Sequence, residues 1–211
     1  MAKFDFDKSK IKNIVFDVGS ILVGYRWLDM FADHGIDVET AHIVGRGFFD
    51  SPYWNKYDAG LITTSELVDR VCEAKPEYEA EARWFIDNAI QMRVLRPRVY
   101  EEVKKLKDNG YKLYILSNYS HDLFELHTSD LPFREWMDGE MVSYKVNVTK
   151  PDPKIYELTR DQFSIVPDES LFFDDRLENV EGAKVVGFNA IHVEDGDEEF
   201  LLDCLYELNK I

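Results

Sequence analysis

Residues 170–193 read SLFFDDRLENVEGAKVVGFNAIHV. Ser170 to Phe173 is a compact apolar run of strand length, and two acids, Asp174 and Asp175, follow it at once. Glu178 to Val186 then has the make-up of a helix and stops at Gly187, the residue type that usually lies just past a helix end. Asn189 to Val193 is apolar again and predicts a second strand. Strand, helix and strand in so short a span predict parallel strands with helices packed on the sheet.

The same alternation extends back to about Arg96. Pro97 to Asn109 opens on proline, ends before Gly110 and carries Val99, Val103 and Leu106 on one face, which predicts a helix. Tyr111 to Leu116 predicts a strand, Met141 to Tyr144 a shorter one, and Pro153 to Phe163 a helix. Leu201, Cys204, Leu205 and Leu208 repeat at helical spacing in the last segment. Lys12 to Val18 is an apolar strand of the same kind, but it stands alone. Between it and Arg96 the patterns are helical, over Trp27 to His34, Glu39 to Phe49, Thr64 to Glu73 and Glu77 to Met92, with no strand among them. Thr63 and Glu66 have the spacing of a capping box. The fold expected is therefore α/β, a Rossmann-like parallel sheet core formed by residues 1–22 and 96–211, with a helical domain of residues 23–95 inserted after the first strand.

Composition narrows the function. The chain has 211 residues, 45% of them apolar, which suits a globular protein with a substantial core. Its formal charge of −16 supplies no basic stripe to displace counterions from a nucleic acid, so no nucleic-acid partner is expected. A phosphorylated small molecule remains compatible, provided that positive charge is concentrated locally by a metal ion, a lysine or a helix N-terminus. The amino end, Met1 to Lys12, is polar and charged, and no apolar run is long enough to span a bilayer. A cytoplasmic location without membrane attachment is expected, as a monomer or homodimer. Cys72 and Cys204 lie far apart in no metal-ligand spacing, and Cys204 falls in the apolar stripe of the last helix.

The candidate chemistry sits where strands end. Asp17 follows the first strand as Phe16-Asp17-Val18-Gly19, Ser117-Asn118 follows the second, and Asp174-Asp175 follows the third. Ligands of parallel sheets bind at that edge. Ser117 and Asn118 can hold phosphate oxygens or orient a nucleophile. Two adjacent acids repel unless a cation or a donor stands between them, and Asn179 is spaced to orient Asp175. Lys150-Pro151 opens a helix, where the dipole disfavours a lysine, so Lys150 calls for an anionic partner. Each signal alone has an ordinary reading as a turn, a helix cap or a solvated lysine.

Taken together, Asp17, Ser117, Lys150 and Asp174-Asp175 resemble in order and chemistry the four motifs of the haloacid dehalogenase-like hydrolase superfamily. The likeness extends to Lys150-Pro151-Asp152-Pro153-Lys154-Ile155-Tyr156 and to Phe172 through Ala183. The helical insert resembles the alpha-helical cap of the family's first subfamily. Asp-x-Gly in the first motif is similar to the branch of alpha-D-glucose-1-phosphate phosphatases. The resemblance implies a phosphatase acting on a small phosphorylated metabolite, a sugar phosphate for example. Asp17 would attack phosphorus and form an aspartyl phosphate. Mg2+ would be held by Asp17, the Gly19 carbonyl and Asp175, with Asp174 in support. Ser117 and Asn118 would bind the phosphoryl group, and Lys150 would offset the carboxylates.

Gly19 departs from the pattern. The family usually has an aspartate there, protonating the leaving group and later activating water, and losing such a group typically costs ~10²–10⁴-fold. Gly24 occupies the stretch where the Asp-x-Gly branch often carries another aspartate, and His121 and Asp122 are the replacements the sequence offers. A substrate with a good leaving group, such as an anomeric or acyl phosphate, would need less acid help. Arg26, Trp27, Arg46, Trp54 and Tyr57 in the insert are candidates for specificity. A metal-independent 2-haloacid dehalogenase, a non-catalytic phosphate-binding member and a phosphotransferase are the competing readings.

Overall fold

The computed structural model describes residue 4 and residues 6–210. Part of the polar amino end, on which the expectation of an unanchored start rests, lies outside the described residues. Among the described residues there are seven strands: β1 Asn13–Phe16, β2 Val23–Tyr25, β3 Arg93–Leu95, β4 Lys112–Ser117, β5 Gly139–Val142, β6 Ser170–Asp174 and β7 Asn189–His192. Five of them form one sheet in the order β5-β4-β1-β6-β7, and every pairing in it is parallel. The expected parallel α/β core is present.

The sheet is buried on both sides, and side chains alternate between two cores as the pleat requires. Ile14, Phe16, Leu113, Ile115, Leu171 and Phe173 join one cluster, while Val15, Tyr114, Leu116 and Phe172 join the other. The first face is covered by the helices Pro97–Asp108 and Glu198–Leu208, which bring Val99, Val103, Leu106, Leu201, Cys204, Leu205 and Leu208 to it. The second is covered by Pro153–Phe163 and Leu177–Val185, through Ile155, Tyr156, Val180 and Ala183. Phe16 and Phe173 stack across β1 and β6 with ring centroids 5.7 Å apart.

Register decides where the polar residues land. Phe16 lies opposite both Ile115 and Phe173, so Asp17, Ser117 and Asp174 emerge at one edge. The neighbours of β1 diverge to β4 on one side and β6 on the other, and this is the point where such sheets open a crevice.

Residues 23–95 differ from expectation in three respects. Their ends are not strand-free: β2 and β3 pair antiparallel, with Val23 opposite Leu95 and Tyr25 opposite Arg93. Each is three residues long, too short to leave a run in the sequence. The stretch expected as one helix, Glu77 to Met92, is a helix over Glu79–Asp87 flanked by 3-10 turns at Pro76–Tyr78 and Ala89–Met92. A short helix, Trp54–Asp58, stands where none was expected. The other insert helices are Trp27–Asp33, Val38–Phe49 and Thr64–Ala74, the last opened by the Thr63–Glu66 capping box. Phe31 and Phe85 stack at 5.1 Å within it, and its apolar side chains are continuous with the first sheet core. In the core, the strand expected at Met141 to Tyr144 runs Gly139–Val142, because Tyr144 already belongs to the short helix Ser143–Val146. His121–Thr128 forms a further helix.

Candidate active site

Asp17 leaves β1 with its carboxylate held on one side only. Its Oδ1 accepts hydrogen bonds from the Val18 amide at 2.7 Å and the Ser117 hydroxyl at 2.6 Å, and the Lys150 ammonium lies 3.0 Å away. Among the described residues nothing donates to its Oδ2. A carboxylate fixed by three donors at one oxygen and free at the other is poised either to attack an electrophile or to bind a cation.

Lys150 is fully buried at its side chain and is shared between acids. Its ammonium donates to Asp174 Oδ2 at 2.6 Å and to the Leu116 carbonyl at 2.9 Å. The backbone of Lys150 is clamped by Asn118, whose Nδ2 donates to the Lys150 carbonyl at 2.9 Å and whose Oδ1 accepts from the Lys150 amide at 2.7 Å. One Nδ2 hydrogen and one Oδ1 lone pair of Asn118 thereby place the lysine, while the side chain also lines the cavity with a second Nδ2 hydrogen still available. Ser117, for its part, orients Asp17. Asp174 is fully buried, accepting from the Arg176 amide at 2.8 Å and from Asn179 Nδ2 at 3.0 and 3.1 Å as well as from Lys150. Asn179 therefore orients Asp174 rather than Asp175. Asp175 is half-buried and faces the cavity.

Asp17, Asp174 and Asp175 each offer one oxygen within 4.8 Å of the others, a hard-oxygen donor set that fits a divalent cation such as magnesium. The electrostatics agree. Burial is the largest influence on Asp17 and pushes its carboxyl up to about 7, against the pull of Lys150 and with the help of Asp174 and Asp175. Burial and the Asp174 charge likewise raise Asp175. Burial works to lower Lys150, but the Asp17 and Asp174 carboxylates hold its ammonium above the usual range. Three crowded acids share one cation, and a second cation would relieve the excess.

A cavity of about 520 Å³ opens in front of Asp17. The core lines it with Gly19, Tyr119, Asp175 and Arg176, and the insert with Trp27, Phe49, Trp54, Asp58 and Met92. Of the specificity candidates, Trp27 and Trp54 reach the cavity. Arg26 pairs instead with Asp33, and Tyr57 is buried against Thr64. His121 and Asp122 do not line the cavity: they are exposed and bonded to each other, and Asp122 also accepts from Thr64 at 2.6 Å. They do not stand in for the side chain missing at Gly19. A Cβ on Gly19 would lie 3.4 Å from Tyr25 Cε2 and 3.6 Å from its hydroxyl, in van der Waals contact, so the Tyr25 phenol stands directly beside that position.

Sequence reasoning missed Tyr25, Arg176 and Asp58. Asp58 closes the helix Trp54–Asp58, and an acid at a helix C-terminus opposes the dipole. That is the one signal that could have found it.

Comparison with known proteins agrees with this geometry. A family model described as haloacid dehalogenase-like hydrolase matches residues 11–187. The chain is 26% identical over 194 residues to the sesquiterpene phosphatase astK of Aspergillus oryzae, covering 87% of this chain and 90% of that protein. It is 25% identical over 201 residues to the D-ribitol-5-phosphate phosphatase of Bacteroides thetaiotaomicron, covering 88% and 93%. In fold it is similar to a HAD family enzyme of Bacteroides thetaiotaomicron solved with magnesium and inorganic phosphate, at a TM-score of 0.69 and 22% identity, over 89% of this chain and 96% of that one.

Proposed function

Because the chain belongs to the haloacid dehalogenase-like hydrolases, we propose that it is a magnesium-dependent phosphomonoester hydrolase working through an aspartyl phosphate on Asp17. The observation that carries this reading is the half-tethered Asp17 carboxylate, with three donors on Oδ1 and, among the described residues, none on Oδ2. Oδ2 attacks phosphorus and the bond to the leaving oxygen breaks; water then attacks the same phosphorus and returns Asp17. Magnesium held by Asp17, Asp175 and the Gly19 carbonyl, with Asp174 behind them, supplies the positive charge that offsets the phosphoryl oxygens. Ser117 and Lys150 keep Asp17 aimed and offset its charge, and Asn118 keeps Lys150 in place.

Residues 23–95 act as a cap over a core of residues 1–22 and 96–211, and they set the choice of substrate. Trp27, Phe49, Trp54 and Met92 give the cavity an apolar wall opposite the carboxylates. The substrate is therefore a small phosphorylated metabolite, a sugar phosphate among the candidates, that lays an apolar face on these rings. No helix among the described residues is long and apolar enough to cross a membrane.

Phosphate release from a panel of sugar phosphates and p-nitrophenyl phosphate, with and without magnesium, tests the reading. Turnover that needs magnesium and vanishes in Asp17→Asn is expected. Magnesium-independent halide release from 2-haloacids, or no turnover of any ester, overturns it.

A further inference from the structure

An alkoxide expelled from phosphorus needs a proton, and the side chain that could deliver it from position 19 is absent. The Tyr25 hydroxyl stands beside that position, but its proton is committed elsewhere. His127 Nε2 faces the Ala89 carbonyl at 3.0 Å, a pure acceptor, so that nitrogen carries the hydrogen. Burial lowers the His127 pKa and keeps the ring neutral, so Nδ1 is a lone pair and accepts from the Tyr119 hydroxyl at 2.7 Å. Tyr119 thus receives the Tyr25 proton in turn. The chain of three runs away from the reacting centre, and Tyr25 shows the cavity an acceptor.

One acid on the cavity wall lies outside the metal cluster and is shielded from solvent. Asp195 is on the open rim and exposed, whereas Asp58 is half-buried. Asp58 belongs to the insert, yet its backbone is fastened to the core. The Ser143 hydroxyl donates to the Asp58 carbonyl and accepts from the Tyr119 amide at 2.9 Å, tying the insert to the loop that follows Ser117. Asn147 Nδ2 donates to the Ala59 carbonyl at 2.8 Å. Gly60, at φ +68°, passes so close to Tyr144 that a Cβ would come within 2.9 Å of its carbonyl oxygen.

Resting on the phosphatase reading, we infer that Asp58 is the catalytic proton carrier, supplied from the insert in place of the residue absent at Gly19. In the first half-reaction Asp17 Oδ2 forms its bond to phosphorus, the bond from phosphorus to the leaving oxygen breaks, and that oxygen takes the Asp58 proton. In the second, water forms the new bond to phosphorus, its proton passes to the Asp58 carboxylate, and the Asp17–phosphorus bond breaks. The cycle ends with Asp17 ionised and Asp58 protonated, as it began. Burial, reinforced by the Asp17 charge, lifts the Asp58 carboxyl to about 7, while the Ser120 amide, Arg176 and Lys150 oppose the rise. Tyr25 and Tyr119 face it uncharged, both held above their ordinary range by burial. Both of its protonation states are thus populated near neutrality.

The test is a leaving-group series, from alkyl phosphates through p-nitrophenyl to dinitrophenyl phosphate, on the intact protein with magnesium. Wild type is expected to vary little along it. Asp58→Asn is expected to lose ~10²–10⁴-fold on alkyl esters. With dinitrophenyl phosphate it should give a burst of one equivalent per enzyme and accumulate phosphorylated protein by mass. Wild-type turnover that Asp17→Asn abolishes and Asp58→Asn leaves unchanged, or slows equally for every ester with no burst from dinitrophenyl phosphate and no phosphorylated protein, overturns Asp58 alone. If wild type turns over no ester, the phosphatase reading falls and Asp58 with it. Should Asp58→Asn fail to fold, a steep dependence on leaving-group pKa in wild type still overturns the assignment.

Discussion

Lys150 has the most exacting environment of any side chain in the site. Its ammonium is out of water and balanced by Asp17 and Asp174 at 3.0 and 2.6 Å. Removing one partner of a buried charge cluster costs about 3–5 kcal/mol, because the charges left behind are neither solvated nor paired. Lys150→Met, close in volume, is expected to lose stability of that order in denaturant unfolding. Added magnesium should recover part of it by taking over the charge balance; a loss below about 1 kcal/mol would show that the acids do not depend on the lysine. The sequence disclosed Lys150 because a lysine at a helix start is electrostatically misplaced, and it disclosed Asp17, Ser117 and Asp174-Asp175 because each follows an apolar run. It did not disclose that Asn118 serves the Lys150 backbone or that Asn179 serves Asp174. Those partnerships depend on side-chain direction across segments 32 and 5 residues apart. Asp58 was hidden for a related reason: its role comes from where the insert docks, and its one local signal, an acid ending a helix, belongs to the short helix Trp54–Asp58 that the sequence did not reveal.

At the level of elements, the helix Trp54–Asp58 matters through its last turn. Gly60 follows it in a left-handed conformation and abuts the Tyr144 backbone, whereas Gly35, also left-handed at φ +80°, has nothing within 4 Å of the point where a Cβ would stand. The two glycines separate conformational strain from contact. Gly35→Ala is expected to cost about 1–2 kcal/mol, the penalty of a left-handed residue alone. Gly60→Ala should cost more, because backbone must move, and it should also slow alkyl-ester hydrolysis by displacing Asp58. Equal losses in thermal unfolding, with turnover untouched in both, would show that the docking of this helix is immaterial to the site. The core strands were legible because buried parallel strands are continuous apolar runs. β2 and β3 were not: with three residues each, they owe their pairing to the chain leaving and re-entering the core at one place, and Gly24 packs against Val94 there. The break in the stretch Glu77 to Met92 was equally hidden, since the 3-10 turns at both ends keep the same residues in helix-like spacing.

For the molecule as a whole, acidity and burial act in the same direction. The chain carries a formal charge of −16, and three of its acids, Asp17, Asp58 and Asp175, are held above the ordinary carboxylate range, the first two up to about 7. A carboxyl whose pKa is higher folded than unfolded binds more protons in the native state, so its contribution to stability is full below the unfolded value and is lost as pH rises through the folded one. His127 works oppositely: burial depresses its pKa, and its contribution fades only as pH falls below the ordinary histidine value of about 6.5. Between about pH 6.5 and pH 8 the carboxyls therefore dominate, and self-repulsion of the ionised chain adds to them. The metal-free protein is expected to melt at a lower temperature near pH 8 than near pH 6.5. Magnesium binds the ionised form of the cluster, so its stabilisation must grow over the same interval, by linkage between ligand and folded state. Thermal scans in chelator and in saturating magnesium at both ends of that window measure the two slopes. A melting temperature in chelator that climbs with pH, or a magnesium gain that is larger at the acid end, would mean that these carboxyls are already ionised in the metal-free fold and that the crowding around Lys150 is fully compensated from within the chain.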